Sequence, residues 1–224
     1  DYNDPSYPNN EKIYTPNTNN AYVFNDKIYY AAQRVNDVGI GCWDITLNTT
    51  CATAYTVLES NSAMHIPQAQ ATINPVSNLE YASLIDGLTV VNNKLWVALS
   101  GTAQNKVACF DPNTNSTCGS ILTGETVQQN VQNNKVNSTP IAVVGNRLYV
   151  HYSFSNTLQC VDVSINSQCS GYTAPTGIGT SYDLLAVPNS TDICLMPSRD
   201  STTNSGTQNS RCYNQNGGLV TASY

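Results

Sequence analysis

Three decapeptides built on one frame constrain this chain more than any other feature. They read CWDITLNTTC from Cys42 to Cys51, CFDPNTNSTC from Cys109 to Cys118 and CVDVSINSQC from Cys160 to Cys169. Each opens with Cys, carries Asp two residues on, holds an Asn-Ser/Thr dipeptide and closes with Cys nine residues after the first. The residues between are mostly turn formers. A β-hairpin with a disulfide across its strands satisfies this pattern. Opposed Cβ atoms in a non-hydrogen-bonded pair lie at about the separation a disulfide needs. The predicted pairs are Cys42–Cys51, Cys109–Cys118 and Cys160–Cys169.

A second pattern precedes each decapeptide. It reads NAYVFNDKIYYAA (20–32), GLTVVNNKLWVAL (87–99) and PIAVVGNRLYVHY (140–152), with a degenerate fourth copy, LLAVPNSTDICLMP (184–197). Two short apolar runs flank an Asn, Asp or Gly turn, which is a hairpin signal. Each repeat is thus four strands, A to D, with the decapeptide supplying the C–D hairpin. Lys27, Lys94 and Arg147 follow the A–B turns at intervals of 67 and 53 residues. The first interval is longer because a polar connector is inserted, Tyr55–Ser83 at its widest and 59–83 as a separate segment. No window shows helical periodicity.

The fourth repeat departs from the others. Cys212-Tyr213-Asn214 opens its strand C, and Leu219–Tyr224, after an Asn-Gly-Gly turn, has no Cys. Cys194 instead stands where Tyr29, Trp96 and Tyr149 stand in the other repeats. It is expected to pair with Cys212, joining strand B to strand C. The strand B site and the strand C cysteine then share a face, and the other bridges pack on Tyr29, Trp96 or Tyr149. All eight cysteines are used.

Four antiparallel strands in about 50 residues, repeated in tandem, is a blade-like unit. Over residues 20–224 the chain resembles secreted, disulfide-bearing β-propeller proteins. The resemblance implies an all-β fold, a β-propeller of four antiparallel four-stranded blades at 20–58, 84–124, 139–175 and 182–224. A closed four-bladed ring is the expectation. Part of a larger ring, a β-sandwich and a stacked β-solenoid are the alternatives. WD40 and kelch signatures are absent. Residues 1–19 form an N-terminal arm outside the repeats, either loosely ordered or a docking strand centred on Lys12-Ile13-Tyr14-Thr15.

Composition narrows the partners. Charged residues make up 11% of the chain, the net charge is -6 and Lys plus Arg number nine, all scattered. That argues against nucleic acid and against an anionic membrane surface. No apolar run approaches the roughly eighteen residues of a membrane span, so no membrane insertion is expected. Paired cysteines point to an oxidising compartment, extracellular or at the cell surface. The spacing lacks C-x2-C and has no His beside Cys, which disfavours zinc. No leader pattern precedes Asp1, so the expectation is a processed N-terminus or an excised domain.

Asn48, Asn115, Asn137 and Asn189 each open an Asn-x-Ser/Thr triplet and are candidate N-glycosylation acceptors. Asp44, Asp111 and Asp162 recur at Cys+2, with Asn214 in the fourth copy. They read as caps of the hairpin turn, and a calcium ligand repeated in each unit is the alternative. Asp86 and Asp183 stand at matching places before strand A and are the candidate ligand or channel residues, or plain turn residues. His65 and His151 are the only histidines. No nucleophile elbow occurs, and Gly177-Ile178-Gly179 has no helix after it to cradle a phosphate. The reading is a non-catalytic extracellular glycoprotein without cofactor. It serves as a structural or adhesive module that assembles with itself into a polymer or filament through its arm. A lectin-like carbohydrate binder using exposed aromatics is the alternative. A glycoside hydrolase or lyase, which would need convergent carboxylates, is the third.

Overall fold

A computed structural model describes residues 21–33, 37–60, 87–99, 105–123, 141–152, 157–178, 182–197 and 210–221. Among these residues there are strands and turns and no helix. The first sheet is β1 (Ala21–Phe24), β2 (Lys27–Gln33), β3 (Asp37–Asp44) and β4 (Thr49–Ser60). The second is β5 (Leu88–Val91), β6 (Lys94–Leu99), β7 (Lys106–Asp111) and β8 (Ser116–Leu122). The third is β9 (Ile141–Val144), β10 (Arg147–Tyr152), β11 (Thr157–Asp162) and β12 (Ser167–Gln168). The fourth is β13 (Tyr182–Ala186), β14 (Ile193–Pro197), β15 (Arg211–Tyr213) and β16 (Leu219–Val220). Every sheet is an antiparallel meander in chain order.

The turns explain the recurrent Asn residues. Asn25-Asp26 and Asn92-Asn93 both have positive φ at each position, as a type I′ hairpin turn requires. Asn48, Asn115 and Asn166 take φ of 53°, 52° and 52° just before the last strand of their sheets. Asn tolerates this left-handed region better than most side chains. Asn166 is not followed by an acceptor triplet and adopts the same angle, so the backbone is reason enough for Asn here.

The sheets stack face to face in sequence order. Tyr29, Ala31 and Cys42 of the first sheet meet Leu95, Val97 and Phe110 of the second. The rings of Tyr29 and Phe110 lie 5.6 Å apart. Trp96, Ala98 and Cys109 of the second sheet meet Leu148, Val150 and Val161 of the third. Tyr149, Leu158 and Cys160 of the third meet Ile193, Leu195 and Tyr213 of the fourth. Each contact therefore sets a face bearing a disulfide against a face bearing aliphatic residues. Among the described residues, none of these clusters joins the fourth sheet to the first.

Two expectations on element bounds change. Tyr55–Ser60 belongs to β4 and not to the connector. Leu58 packs on the first cluster, and Glu59 pairs with Lys106 of the second sheet, so tertiary contact extends the strand. Asp183 lies inside β13, opposite Met196, and not in a turn before it. The alternation of β13 turns Leu184 and Ala186 to the third sheet and leaves Asp183 on the other face. The arm, 1–19, and nearly all of the connector lie outside the described residues.

Candidate functional site

The bridges come first, because they fix where everything else can sit. Cys42–Cys51, Cys109–Cys118, Cys160–Cys169 and Cys194–Cys212 are all joined, and no cysteine is free. In the first sheet the register next to the turn is Asp44↔Thr49 and Trp43↔Thr50, and the ladder slips between Trp43 and Gly41, where Cys42 lies. In the second sheet the slip comes at the bridge itself, where Cys109 faces Gly119, whose φ is +106°. The β-bulge absorbs the extra residue next to the staple. Tyr29, Trp96 and Tyr149 lie directly opposite Cys42, Cys109 and Cys160, just as Cys194 lies opposite Cys212.

The Cys+2 side chains cap their turns. Asp44 Oδ1 accepts the Leu47 amide at 2.9 Å and Asp111 Oδ1 accepts the Asn113 amide at 2.9 Å. Asp162 Oδ1 accepts the Ser164 amide at 2.9 Å and its hydroxyl at 2.5 Å. Asn214 Oδ1 accepts the amides of Asn216 and Gly218 at 2.9 and 3.0 Å. An amide oxygen thus performs the same task as a carboxylate. The Ser164 hydroxyl, and then its amide and the Arg147 guanidinium, hold the Asp162 carboxyl below its ordinary value, against a partial desolvation. Lys27 stands across the ladder from Asp44, and Arg147 from Asp162. Sequence reading found both repeated charges and missed that the strand register sets them opposite each other. Among the described residues, no cluster of three or more metal-ligating side chains forms.

The other candidates are dispersed. Asn48 and Asn189 are exposed on turns, and Asn115 is half-buried on one. Asn137, Asp86 and His65 lie outside the described residues. Asp183 is exposed, and His151 is fully buried on β10 opposite Leu158. Burial pushes the Tyr29, Tyr149 and Tyr172 hydroxyls above the ordinary tyrosine range. The Tyr172 hydroxyl donates to Leu158 O at 2.8 Å, and its ring meets Tyr149 edge-on at 5.8 Å. These groups are packing elements.

The outward face of the first sheet, turned away from the second, holds the residues that sequence reading overlooked. A Cβ on Gly41 would strike the Tyr30 ring, and one on Gly39 would strike Tyr55 and the Thr56 carbonyl. The two tyrosines therefore lie over the glycines of β3, beside half-buried Trp43. Glycines at alternate positions of a strand mark a close approach, and Gly39-Ile40-Gly41 was the available signal. This is a broad aromatic surface on a sheet with no sheet packed over that side among the described residues.

No protein-family model and no curated protein matches the chain. Among solved structures, a functionally unknown protein from Desulfotomaculum acetoxidans matches 90% of this chain and 53% of its own, with 8% identity and a TM-score of 0.50. The hydrazine synthase of Kuenenia stuttgartiensis matches 87% of this chain and 49% of its own, with 10% identity and a TM-score of 0.50. At such identities the likeness is one of fold alone. The chain spans about half the length of each of these structures.

Proposed function

We propose that the four sheets are successive blades of a β-propeller and that the chain is a non-catalytic extracellular glycoprotein. In this reading it is a structural or adhesive module that assembles with itself. The observation that carries it is the stapling of every sheet by its own disulfide, with no thiol left for chemistry. Stable disulfides belong to oxidising compartments. Local staples suit thin sheets that, among the described residues, pack on their neighbours in the stack. Acceptor triplets at the exposed tips Asn48 and Asn189 leave room for glycans. Residues 1–19 remain the proposed assembly arm. Deleting them is expected to abolish polymer formation in light scattering; unchanged assembly would remove the arm from the reading.

A carbohydrate-binding function is the second reading. Its support is the Tyr30, Tyr55 and Trp43 surface, since aromatic faces stack on sugar rings. Binding on a glycan array in physiological calcium, lost on Trp43→Ala, is the expected result. An array blank throughout would end this reading.

A further inference from the structure

The acceptor triplets at Asn48 and Asn115 are built into hairpins that a disulfide closes, and the triplet at Asn189 is not. Asn48 and Asn115 sit in the turn at φ of 53° and 52°, and the two residues that complete each triplet already belong to the last strand. Thr49 and Thr50 pair with Asp44 and Trp43, and Ser116 and Thr117 pair with Asp111 and Phe110. The bridged Cys51 or Cys118 follows directly. Asn115 is half-buried, and the hydroxyls of Thr114 and Ser116 on either side of it share a hydrogen bond of 2.8 Å. Asn189 is placed differently. β13 and β14 pair up to Ala186 and Ile193, so Asn189, Ser190 and Thr191 all fall in the loop between them, with Asn189 and Thr191 exposed. The bonds that shape this loop are short-range, from the Ser190 amide to Val187 O at 3.2 Å and from the Asp192 amide to Ser190 Oγ at 3.1 Å.

Glycan attachment is a group transfer from a polyprenyl-pyrophosphate-linked oligosaccharide. The Asn Nδ2 bonds to C1 of the first sugar, and the bond from C1 to the pyrophosphate oxygen breaks. The pyrophosphate leaves with the bonding electrons, and the amide gives up one proton to solvent. The acceptor pattern demands a hydroxyl two residues on, so the transferring enzyme grips the amide and that hydroxyl together. The three residues must then leave whatever sheet holds them. A loop yields far more readily than paired strands, and in these two hairpins the strand is also tied by sulfur one residue further on. We infer that Asn48 and Asn115 take their glycans before their hairpins close. Formation of Cys42–Cys51 and Cys109–Cys118 ends their service as acceptors, whereas Asn189 stays open to transfer in the folded chain. The inference rests on the reading of a glycoprotein and adds the order of events to it. The third hairpin supplies a reference. Asn166 has the same φ of 52°, but exposed Gln168 stands where the hydroxyl is needed, and its side-chain amide reaches Leu122 O at 3.5 Å. Gln168→Thr completes a triplet on a turn of the same kind.

The test uses the full chain made without glycans, in two forms. One is oxidised, with its bridges closed; the other is reduced, with its thiols blocked by iodoacetamide. Each is incubated with a solubilised oligosaccharyltransferase and a lipid-linked oligosaccharide. Peptides carrying Asn48, Asn115 and Asn189 are then weighed by mass spectrometry. Asn189 is expected to take up glycan comparably in both forms. Asn48 and Asn115 are expected to take up roughly tenfold less in the oxidised form than in the reduced one, since each transfer must wait for a paired strand to open. In the Gln168→Thr chain, Asn166 is expected to behave as Asn48 and Asn115 do. Comparable transfer to Asn48 and Asn115 in both forms would overturn the inference. So would loss of Asn189 together with them in the oxidised form, which would show that the folded state at large blocks transfer and not the paired hairpin. A reduced chain that accepts no glycan at Asn48, Asn115 or Asn189 would instead overturn the glycoprotein reading itself.

Discussion

In the first three sheets the disulfide closes the last hairpin, and an aromatic ring from the second strand stands directly across from its first sulfur. In the fourth sheet the bridge joins the middle two strands, Cys194 to Cys212, and occupies the aromatic position itself. A disulfide and a ring are thus alternative fillers of one site beside the strand C cysteine. Moving the bridge leaves the final hairpin of the fourth sheet without a staple, and β16 is only two residues long. That hairpin is held from outside. Arg147 Nη1 donates to Gln215 O at 3.0 Å, and the Thr173 amide donates to Asn216 O at 3.0 Å. The fourth sheet has exchanged a covalent tie for contacts with the third.

Several substitutions test that contrast. The largest loss is expected from Tyr149→Ala, since Tyr149 is fully buried against the third bridge and its hydroxyl reaches toward Gln215 O. Truncating a buried large aromatic costs about 3–5 kcal/mol, read from urea unfolding at neutral pH; a loss below 1 kcal/mol would show that the ring does not join the third and fourth sheets.

Next come the bridges themselves. Replacing Cys194 and Cys212 by Ala opens a crosslink of separation 18, and replacing Cys42 and Cys51 opens one of separation 9. The chain-entropy relation gives about 3 and about 2.5 kcal/mol respectively. The fourth-sheet pair is therefore expected to lower the melting temperature more. Equal or reversed losses would mean that the fourth bridge is chiefly a packing element.

The caps differ in a way that pH reveals. The folded Asp162 carboxyl is held below its ordinary value, so its contribution is complete above the unfolded value near 4 and fades as pH falls through the folded value. Asn214 performs the same capping without titrating. Asp162→Asn is expected to keep the turn and to flatten part of the acid limb of melting temperature against pH. An unchanged acid limb would show that Asp162 makes no linkage contribution.

The smallest effect concerns Trp96. Its Nε1 is buried with no hydrogen-bond partner among the described residues. An unsatisfied buried donor costs roughly 1–3 kcal/mol, which offsets the packing lost in Trp96→Phe. The substitution is expected to lie within about 1 kcal/mol of neutral, measured by the same urea unfolding. A loss above 3 kcal/mol would show that the indole shape and not its polarity governs the site.

The bridges and hairpins were legible in the sequence because they are local. A Cys nine residues from a Cys, with Asn at the left-handed turn position, specifies its own geometry. The Cys194–Cys212 pair was legible by substitution, since a cysteine in an aromatic site needs a sulfur across the ladder. What stayed hidden depends on which sheet meets which. Leu58 and Glu59 read as connector until Lys106 and the first cluster are placed beside them. Lys27 and Asp44 read as separate motifs until the β2–β3 register opposes them. Tyr30 and Tyr55 read as ordinary strand residues until the glycines of β3 leave them room to lie flat. The stacking order supplies all three, and no short window of sequence carries it.

The grip of the third sheet on residues 214–217 has a mechanical consequence. A Cβ on Gly217 would run into the Thr173 carbonyl, so the two segments are seated with no slack. Tension applied to β16 is shared between its ladder with Tyr213 and Cys212 and the ties of the last hairpin to Thr173 and Arg147. The last two units are therefore expected to yield to pulling together, in one step of a force-extension trace.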